Sequence, residues 1–254
     1  MEPRFVDCHS HVVPSGDDGA RSLEDGLELC DLAAEAGTAI LFATPHVWPH
    51  YRLSEERERA VRRAHERLAR RAGLELRLGF ELTPAPELLR HDPARYALEG
   101  TDVVLVEVPF RGPLEDAVEL AEHVERAGLR PLLAHPERTE PVREEPERAL
   151  ELAARWPLQL NATSLVGYHG QEIEELAWQL LEVSSVVASD GHRLSRPARL
   201  DGAFELVRAR VGEEAALPLF DGSALGLRRS LATPTEEAMP ASAAWPSVPP
   251  SRMQ

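Results

Sequence analysis

The feature that most constrains this chain is a rhythm of short apolar runs and helical stretches. Seven runs rich in apolar and β-branched residues recur at about 4–8, 39–43, 76–81, 102–107, 131–134, 158–162 and 186–189. Most are almost continuously hydrophobic, as strands covered on both faces must be. Helices are predicted between them at 22–36, 54–72, 113–127, 144–155, 170–182 and 198–211. Ser22 and Ser54 stand where N-caps belong, Pro113 falls in a first turn, and Gly37, Gly73 and Gly128 follow the C-terminal ends. Alternating strands and helices build a parallel sheet flanked by helices. Seven such repeats predict an α/β fold, a distorted (β/α)7 TIM-like barrel, with an open doubly wound sheet as the alternative.

Every run ends in a residue that can hold a cation or a polar group. The first leads into Asp7-Cys8-His9-Ser10-His11 and the second into Thr44-Pro45-His46. The third and fourth end at Glu81 and Glu107, and the fifth leads into His135-Pro136-Glu137-Arg138. The sixth ends at Asn161, and the seventh leads into Ser189-Asp190-Gly191-His192. In a barrel these C-terminal ends meet at one mouth, where active sites lie. Side chains alternate along a strand, so His9 and His11 face the same side, and Asp190 and His192 repeat the spacing.

Taken singly, these residues are unremarkable, since a strand-end glutamate is commonly a cap and one His-x-His is weak. Together they are not. Of 10 histidines, five (His9, His11, His46, His135 and His192) stand at strand ends. The other five read as ordinary loop or helix residues, with His50 and His169 nearest the motifs. Imidazole with carboxylate and no thiolate suits manganese, iron or zinc. The donors exceed one ion's needs, which implies two or three divalent ions sharing a bridging carboxylate. Arg138 and Arg196 follow His135 and His192 in their loops. Arginine clamps phosphate bidentately, so the pair describes a phosphate pocket, although either alone reads equally as a surface residue.

Composition excludes several alternatives. The 254 residues carry a net charge of -15, from 43 acidic and 28 basic groups. That balance opposes non-specific binding to nucleic acid or anionic lipid. All the basic groups are arginine, so Schiff-base lysine chemistry and a carbamylated-lysine bridge are ruled out. A cysteine-nucleophile phosphatase needs arginine six positions after its cysteine. Pro14 and Ala36 stand there instead, after Cys8 and Cys30. Both thiols are expected buried and inert, with Cys8 turned away from His9 and His11 into the barrel wall. Two cysteines, no apolar leader and no apolar run near the ~18 residues of a membrane span point to the cytoplasm. The arginine-rich 54–72 segment reads as a solvated helix face, with an interface as the minority reading. From about residue 233 the chain turns Pro/Ala/Ser-rich, which divides it into a barrel over 1–232 and a disordered tail over 233–254.

In this order, DCHSHVVPSGDDGARSLEDGLELCDLAAEAG, ATPH, GFEL, VEVP, AHPER, LNATSLVG and SDGHR resemble the polymerase-and-histidinol-phosphatase (PHP) superfamily over about residues 4–225. Within it they look most like the bacterial manganese-dependent protein tyrosine phosphatases of capsular and exopolysaccharide loci. The resemblance implies the PHP fold and a phosphotyrosine protein as partner, a bacterial tyrosine autokinase. It implies that His9, His11, Glu81 and Asp190 hold one ion. Glu81 would bridge to a second ion held by Glu107 and His135, and Asp18, His46 and His192 would hold a third. Asp17 competes with Asp18 for its place, and the spacing from His11 favours Asp18. Arg138 and Arg196 match the family's phosphate-binding arginines, with Arg193 or Arg199 as substitutes for Arg196. A metal-bridged hydroxide would attack phosphorus, with His135 and His192 in the catalytic constellation. A histidinol-phosphatase-like enzyme is the runner-up, a barrel amidohydrolase comes third, and a non-catalytic kinase-binding regulator is the reading from another class. Oligomeric state is left open.

Overall fold

A computed structural model of the chain describes residues 5–47 and 50–227. The segment 233–254, read from sequence as a tail, lies outside the described residues. The strands are β1 (Phe5–Ser10), β2 (Thr38–Ala43), β3 (His46–Val47), β4 (Glu75–Leu78), β5 (Glu81–Leu82), β6 (Val103–Glu107), β7 (Arg130–Ala134), β8 (Leu158–Asn161) and β9 (Val186–Ala188). They pair in parallel as β1-β2-β4 and β3-β5-β6-β7-β8-β9.

Both sheets belong to one wall. The second predicted run continues into β3 after a break at Thr44-Pro45, and the third is split at Gly79-Phe80 into β4 and β5. The Gly79 amide donates to the Ala43 carbonyl (2.9 Å) and the Glu81 amide to that of Pro45 (3.3 Å), which carries the sheet across the breaks. On the other side the Asp190 amide donates to the His9 carbonyl (2.9 Å) and that of His11 to the Gly191 carbonyl (2.7 Å). These bonds close the circle, so the fold is the distorted (β/α)7 barrel rather than the open sheet.

Helices cover the outside. They are α1 (Leu23–Glu35), α2 (Glu55–Ala69), α3 (Leu114–Arg126), α4 (Glu140–Glu144), α5 (Glu147–Ala153), α6 (Ala162–Leu165), α7 (Gln171–Leu180), α8 (Asp201–Val211) and α9 (Glu213–Ala216). Ser22 and Ser54 accept from the Asp25 and Arg57 amides as N-caps (3.1 and 3.2 Å). Pro113 is the N-cap of α3 rather than part of its first turn. The helix expected over 144–155 is present as the shorter α5, which Glu145-Pro146 separates from α4 before it. On α2, Val61 and Leu68 are buried while Arg59–Glu55 and Arg62–Glu58 pair in solvent, as a solvated face requires.

Two apolar layers result. The larger joins strands to helices, for example Leu41, Val104 and Leu133 with Leu120, Val124 and Phe204. The smaller draws on strand residues, including Val6, Ile40, Leu105, Leu132 and Val186, and fills the barrel. Leu98, Leu225 and Leu227 join it. They close the N-terminal end, because the Leu98 amide bonds Val103 at the start of β6 and Arg130, at the start of β7, bonds the Ala224 carbonyl. Cys8 is buried but belongs to this inner layer, not to the outer wall. Val6 and Cys8 alternate regularly into that layer, and the register of β1 on β2 shifts between Asp7 and Ser10, so that His9, next to Cys8, reaches the mouth as well.

Candidate metal centre

All nine acids and imidazoles singled out as ligands gather at the C-terminal ends of the strands. Four overlapping sets have ligand atoms within 4.8 Å of one another: His9-His11-Asp190, His9-Glu81-His135, His46-Glu81-Glu107 and His11-Asp18-His46-His192. Glu81 is the hub. Its Oε2 lies 3.1 Å from His9 Nε2, 3.2 Å from His11 Nε2 and 3.1 Å from His46 Nδ1, and its Oε1 lies 3.0 Å from His135 Nε2. Asp190 Oδ1 is 3.4 Å from both His9 Nε2 and His11 Nε2 and 3.3 Å from His192 Nδ1. Asp18 Oδ1 reaches His46 Nε2 at 3.5 Å and His192 Nε2 at 3.4 Å.

Local backbone geometry aims these groups. His135 (φ 40°) and Asp190 (φ 51°) are the non-glycine residues in the left-handed region among the described residues. Each such conformation costs about 1–3 kcal/mol and persists where surrounding structure enforces it. Pro136 disfavours the right-handed region for His135, and the chain then turns through Pro136–Arg138 to bring Arg138 back over the mouth. A Cβ on Gly191 would lie 2.5 Å from the Ala198 backbone, and one on Gly19 would lie 2.4 Å from the His11 carbonyl. Only glycine lets those loops close on the site.

Asp17 and Asp18 divide the roles that sequence left competing. Asp18 belongs to a donor set. Asp17 stands behind, accepting from the His46 amide (3.0 Å) and the Gly19 amide (3.2 Å). Arg138 donates to Asp190 Oδ2 at 2.7 Å, and Arg196 Nη2 lies 3.9 Å from Asp190 Oδ1. Both arginines line a cavity of about 400 Å³ together with Asp18, His46, Glu81 and Asp190. Arg193 instead bonds the Asp18 carbonyl, and Arg199 pairs with Asp201. His50 and His169 do not line that cavity. His169 bonds Thr163 Oγ1 at 3.1 Å, and burial, with the charges of Arg138 and Arg196, pushes it down to about 4.

The electrostatics favour cations. Burial raises Glu81 and Asp190, but nearby imidazoles outweigh it and hold both carboxyls well below the usual range. Burial opposes Asp18 too, yet the His192 hydrogen bond brings it to about 2. Glu107 goes the other way: burial, then the Glu81 carboxylate, push it up to about 8. Burial alone lowers His11, but Asp17, Asp190 and Glu81 raise it well above its ordinary value. Burial pushes His46 down to about 4. Buried carboxylates this close are stable only with positive charge among them.

The donor set fits divalent ions. His9 donates from Nδ1 to Gln159 Oε1 (2.9 Å) and His192 from Nδ1 to the Asp190 carbonyl (2.8 Å). Each thereby turns an Nε2 lone pair inward, as metal-ligating histidines do. Gln159 donates to Asn161 Oδ1 (2.8 Å), and Asn161 donates to Asp190 Oδ2 (2.8 Å). One chain of amides thus orients His9 and Asp190 together. His9 Nε2 and His11 Nε2 face each other at 3.1 Å, a spacing suited to a shared cation.

The sequence family described as capsular polysaccharide synthesis, CpsB/CapC, matches residues 5–225. This chain belongs to the CpsB/CapC family. Tyrosine-protein phosphatase YwqE of Bacillus subtilis (strain 168) is 28% identical over 236 residues, covering 88% of this chain and 92% of the relative. Putative tyrosine-protein phosphatase CapC of Staphylococcus aureus is 27% identical over 211 residues, covering 79% of this chain and 82% of the relative. A crystal structure from work on YwqE of Bacillus subtilis and CpsB of Streptococcus pneumoniae, described there as unique metal-dependent tyrosine phosphatases, superposes with a TM-score of 0.78. That structure is 26% identical and covers 94% of this chain and 100% of the other. Dihydropyrimidinase from Brevibacillus agri NCHU1002, at 10% identity and a TM-score of 0.54, covers 91% of this chain and 71% of its own and shares the fold alone.

Within the CpsB/CapC member described here, sequence reading passed over several site residues. Gln159 carried no signal beyond being a polar residue inside an apolar strand, and Asn161 was visible only as a strand end. Phe110 stacks on His135 (centroids 5.5 Å apart, planes 4° apart) and lies 4.6 Å from the Arg138 guanidinium, yet it reads as an ordinary loop residue.

Proposed function

We propose that this protein is a metal-dependent phosphomonoester hydrolase that removes phosphate from protein tyrosine. Its substrate is a bacterial tyrosine autokinase of polysaccharide synthesis. The convergence of nine donors and two arginines at one barrel mouth supports this reading most directly. His9, His11, Glu81 and Asp190 would hold one ion, Glu81, Glu107 and His135 a second, and Asp18, His46 and His192 a third. His11 is near enough to join the third set. Manganese is the expected metal, with iron or zinc compatible with the same donors. When bound, such ions make water nucleophilic at neutral pH and offset phosphoryl charge.

The chain's own residues do the rest. Arg138 and Arg196 take the phosphoryl oxygens, holding the charge that grows on them. The Nε of Arg196 is buried without a hydrogen-bond partner, a donor awaiting an acceptor. His192, bonded to the Asp190 carbonyl, and His135, stacked on the Phe110 ring that Arg138 also covers, hold the surroundings of Asp190 and Arg138 in place. Tyrosine leaves as a phenolate of ordinary pKa ~10, so the site needs no strong dedicated acid. We place the protein in the cytoplasm. Among the described residues no helix is long and apolar enough to cross a membrane, and both cysteines are free and buried.

Purified protein should contain divalent metal by elemental analysis. It should hydrolyse a phosphotyrosyl peptide faster than histidinol phosphate, and it should lose turnover on chelation and regain it with manganese. Turnover that survives complete metal removal would overturn the proposal. A faster rate on histidinol phosphate would move the reading to the small-molecule branch.

A further inference from the structure

We infer that Phe110 is the residue that makes this site prefer an aryl ester, by receiving the substrate's aromatic ring against its exposed surface. The inference rests on the phosphotyrosine reading above and deepens it. Eight large hydrophobic side chains are exposed among the described residues, and Phe110, at 43%, is the one of them that lines the metal cavity. Apart from Pro109 beside it, the cavity wall is built of polar and charged residues.

Position gives that ring its meaning. Arg138, the phosphate ligand, has its guanidinium 4.6 Å from the Phe110 centroid. A group esterified to a phosphoryl held by Arg138 must therefore leave the arginine close to Phe110. An aryl group there gains an aromatic neighbour and sheds water, whereas a short alkyl group gains little. The platform is fixed in place. The Phe110 carbonyl accepts from the Glu140 amide at 2.9 Å, Pro109 stiffens the preceding residue, and His135 stacks on the ring. Packing against His135 and Arg138 does not require a ring that stays exposed while lining the cavity.

Calorimetric binding of phenylphosphonate and methylphosphonate to the manganese-loaded full chain tests the assignment without turnover. Phe110→Ala should shrink the phenyl-over-methyl preference about tenfold, Phe110→Leu nearly as much, and Phe110→Trp should keep it. On a phosphotyrosyl peptide the loss should appear mainly in KM. Equal weakening of both phosphonates in Phe110→Ala, or full preference retained in Phe110→Leu, would overturn the inference, since Phe110 would then only position Arg138 or supply bulk. A wild-type protein that binds both phosphonates with the expected preference but hydrolyses no aryl phosphate would sink the proposed function while leaving the role of Phe110 intact.

Discussion

The two ends of this barrel are made from the same strands and obey opposite rules. At the floor, Val6, Ile40, Leu105, Leu132 and Val186 pack with Leu98, Leu225 and Leu227 into one apolar layer. At the mouth, His9, Glu81, His135 and Asp190 are equally buried yet are charged or polar. Floor burial stabilises at roughly 25 cal/mol per Å² of apolar surface. Mouth burial costs free energy, because carboxylates and imidazoles leave water and two residues adopt the left-handed region. The barrel thus separates stability from chemistry along its axis, and the floor underwrites the strain of the mouth.

Substitutions at each end sharpen that contrast. The largest effect is expected at the mouth. In the metal-loaded protein, whose cations keep Asp190 compensated, Arg138→Ala should lower kcat/KM on an aryl phosphate by about 10²–10³ with thermal unfolding little changed. If the fold collapses with the activity, the two ends are not separable. Next comes the floor, where Leu105 is fully buried. Leu105→Ala should cost about 2–5 kcal/mol in denaturant unfolding, with turnover per folded molecule near that of the parent. A matching loss of turnover would show that the floor tunes the site directly. The smallest effect concerns Glu107, whose carboxyl lies at about 8 when folded against an ordinary 4.5. A raised carboxyl pKa contributes stability below about pH 4.5 that is lost as pH climbs through about 8. Metal-free Glu107→Gln should therefore melt a few degrees above metal-free parent at pH 8.5, with the gap closing toward pH 4.5. Metal-loaded parent should reverse the order. A gap that widens on acidification would be the wrong sign for this explanation.

Much of the mouth was legible in sequence because its ligands follow immediately after apolar runs. His46, Glu107 and His135 could be placed at the mouth because each stands at or just beyond the end of an apolar run. What lay beyond reach depended on irregularity. The register shift in β1 lets the neighbours Cys8 and His9 both face inward, and the third run broke at Gly79-Phe80 so that Glu81 begins a new strand. Gln159 and Phe110 took their roles from neighbours far away in the chain, which no local pattern encodes. Asp17 and Asp18 are adjacent and chemically identical, so spacing favoured Asp18 without explaining what Asp17 does.

The sequence by itself determined the alternation that forces a parallel barrel and the donor types that ask for divalent cations. Both are local properties, set by side-chain period and by the chemistry of imidazole and carboxylate. Tertiary structure alone decided which oxygen meets which nitrogen, that Glu81 is the hub, that Arg138 rests on Asp190 and Phe110, and that an amide chain ties His9 to Asp190. Those contacts join residues far apart in the chain, His9 and Gln159 by 150 positions and His9 and Asp190 by more. They exist only when a closed ring of strands brings all its ends to one rim.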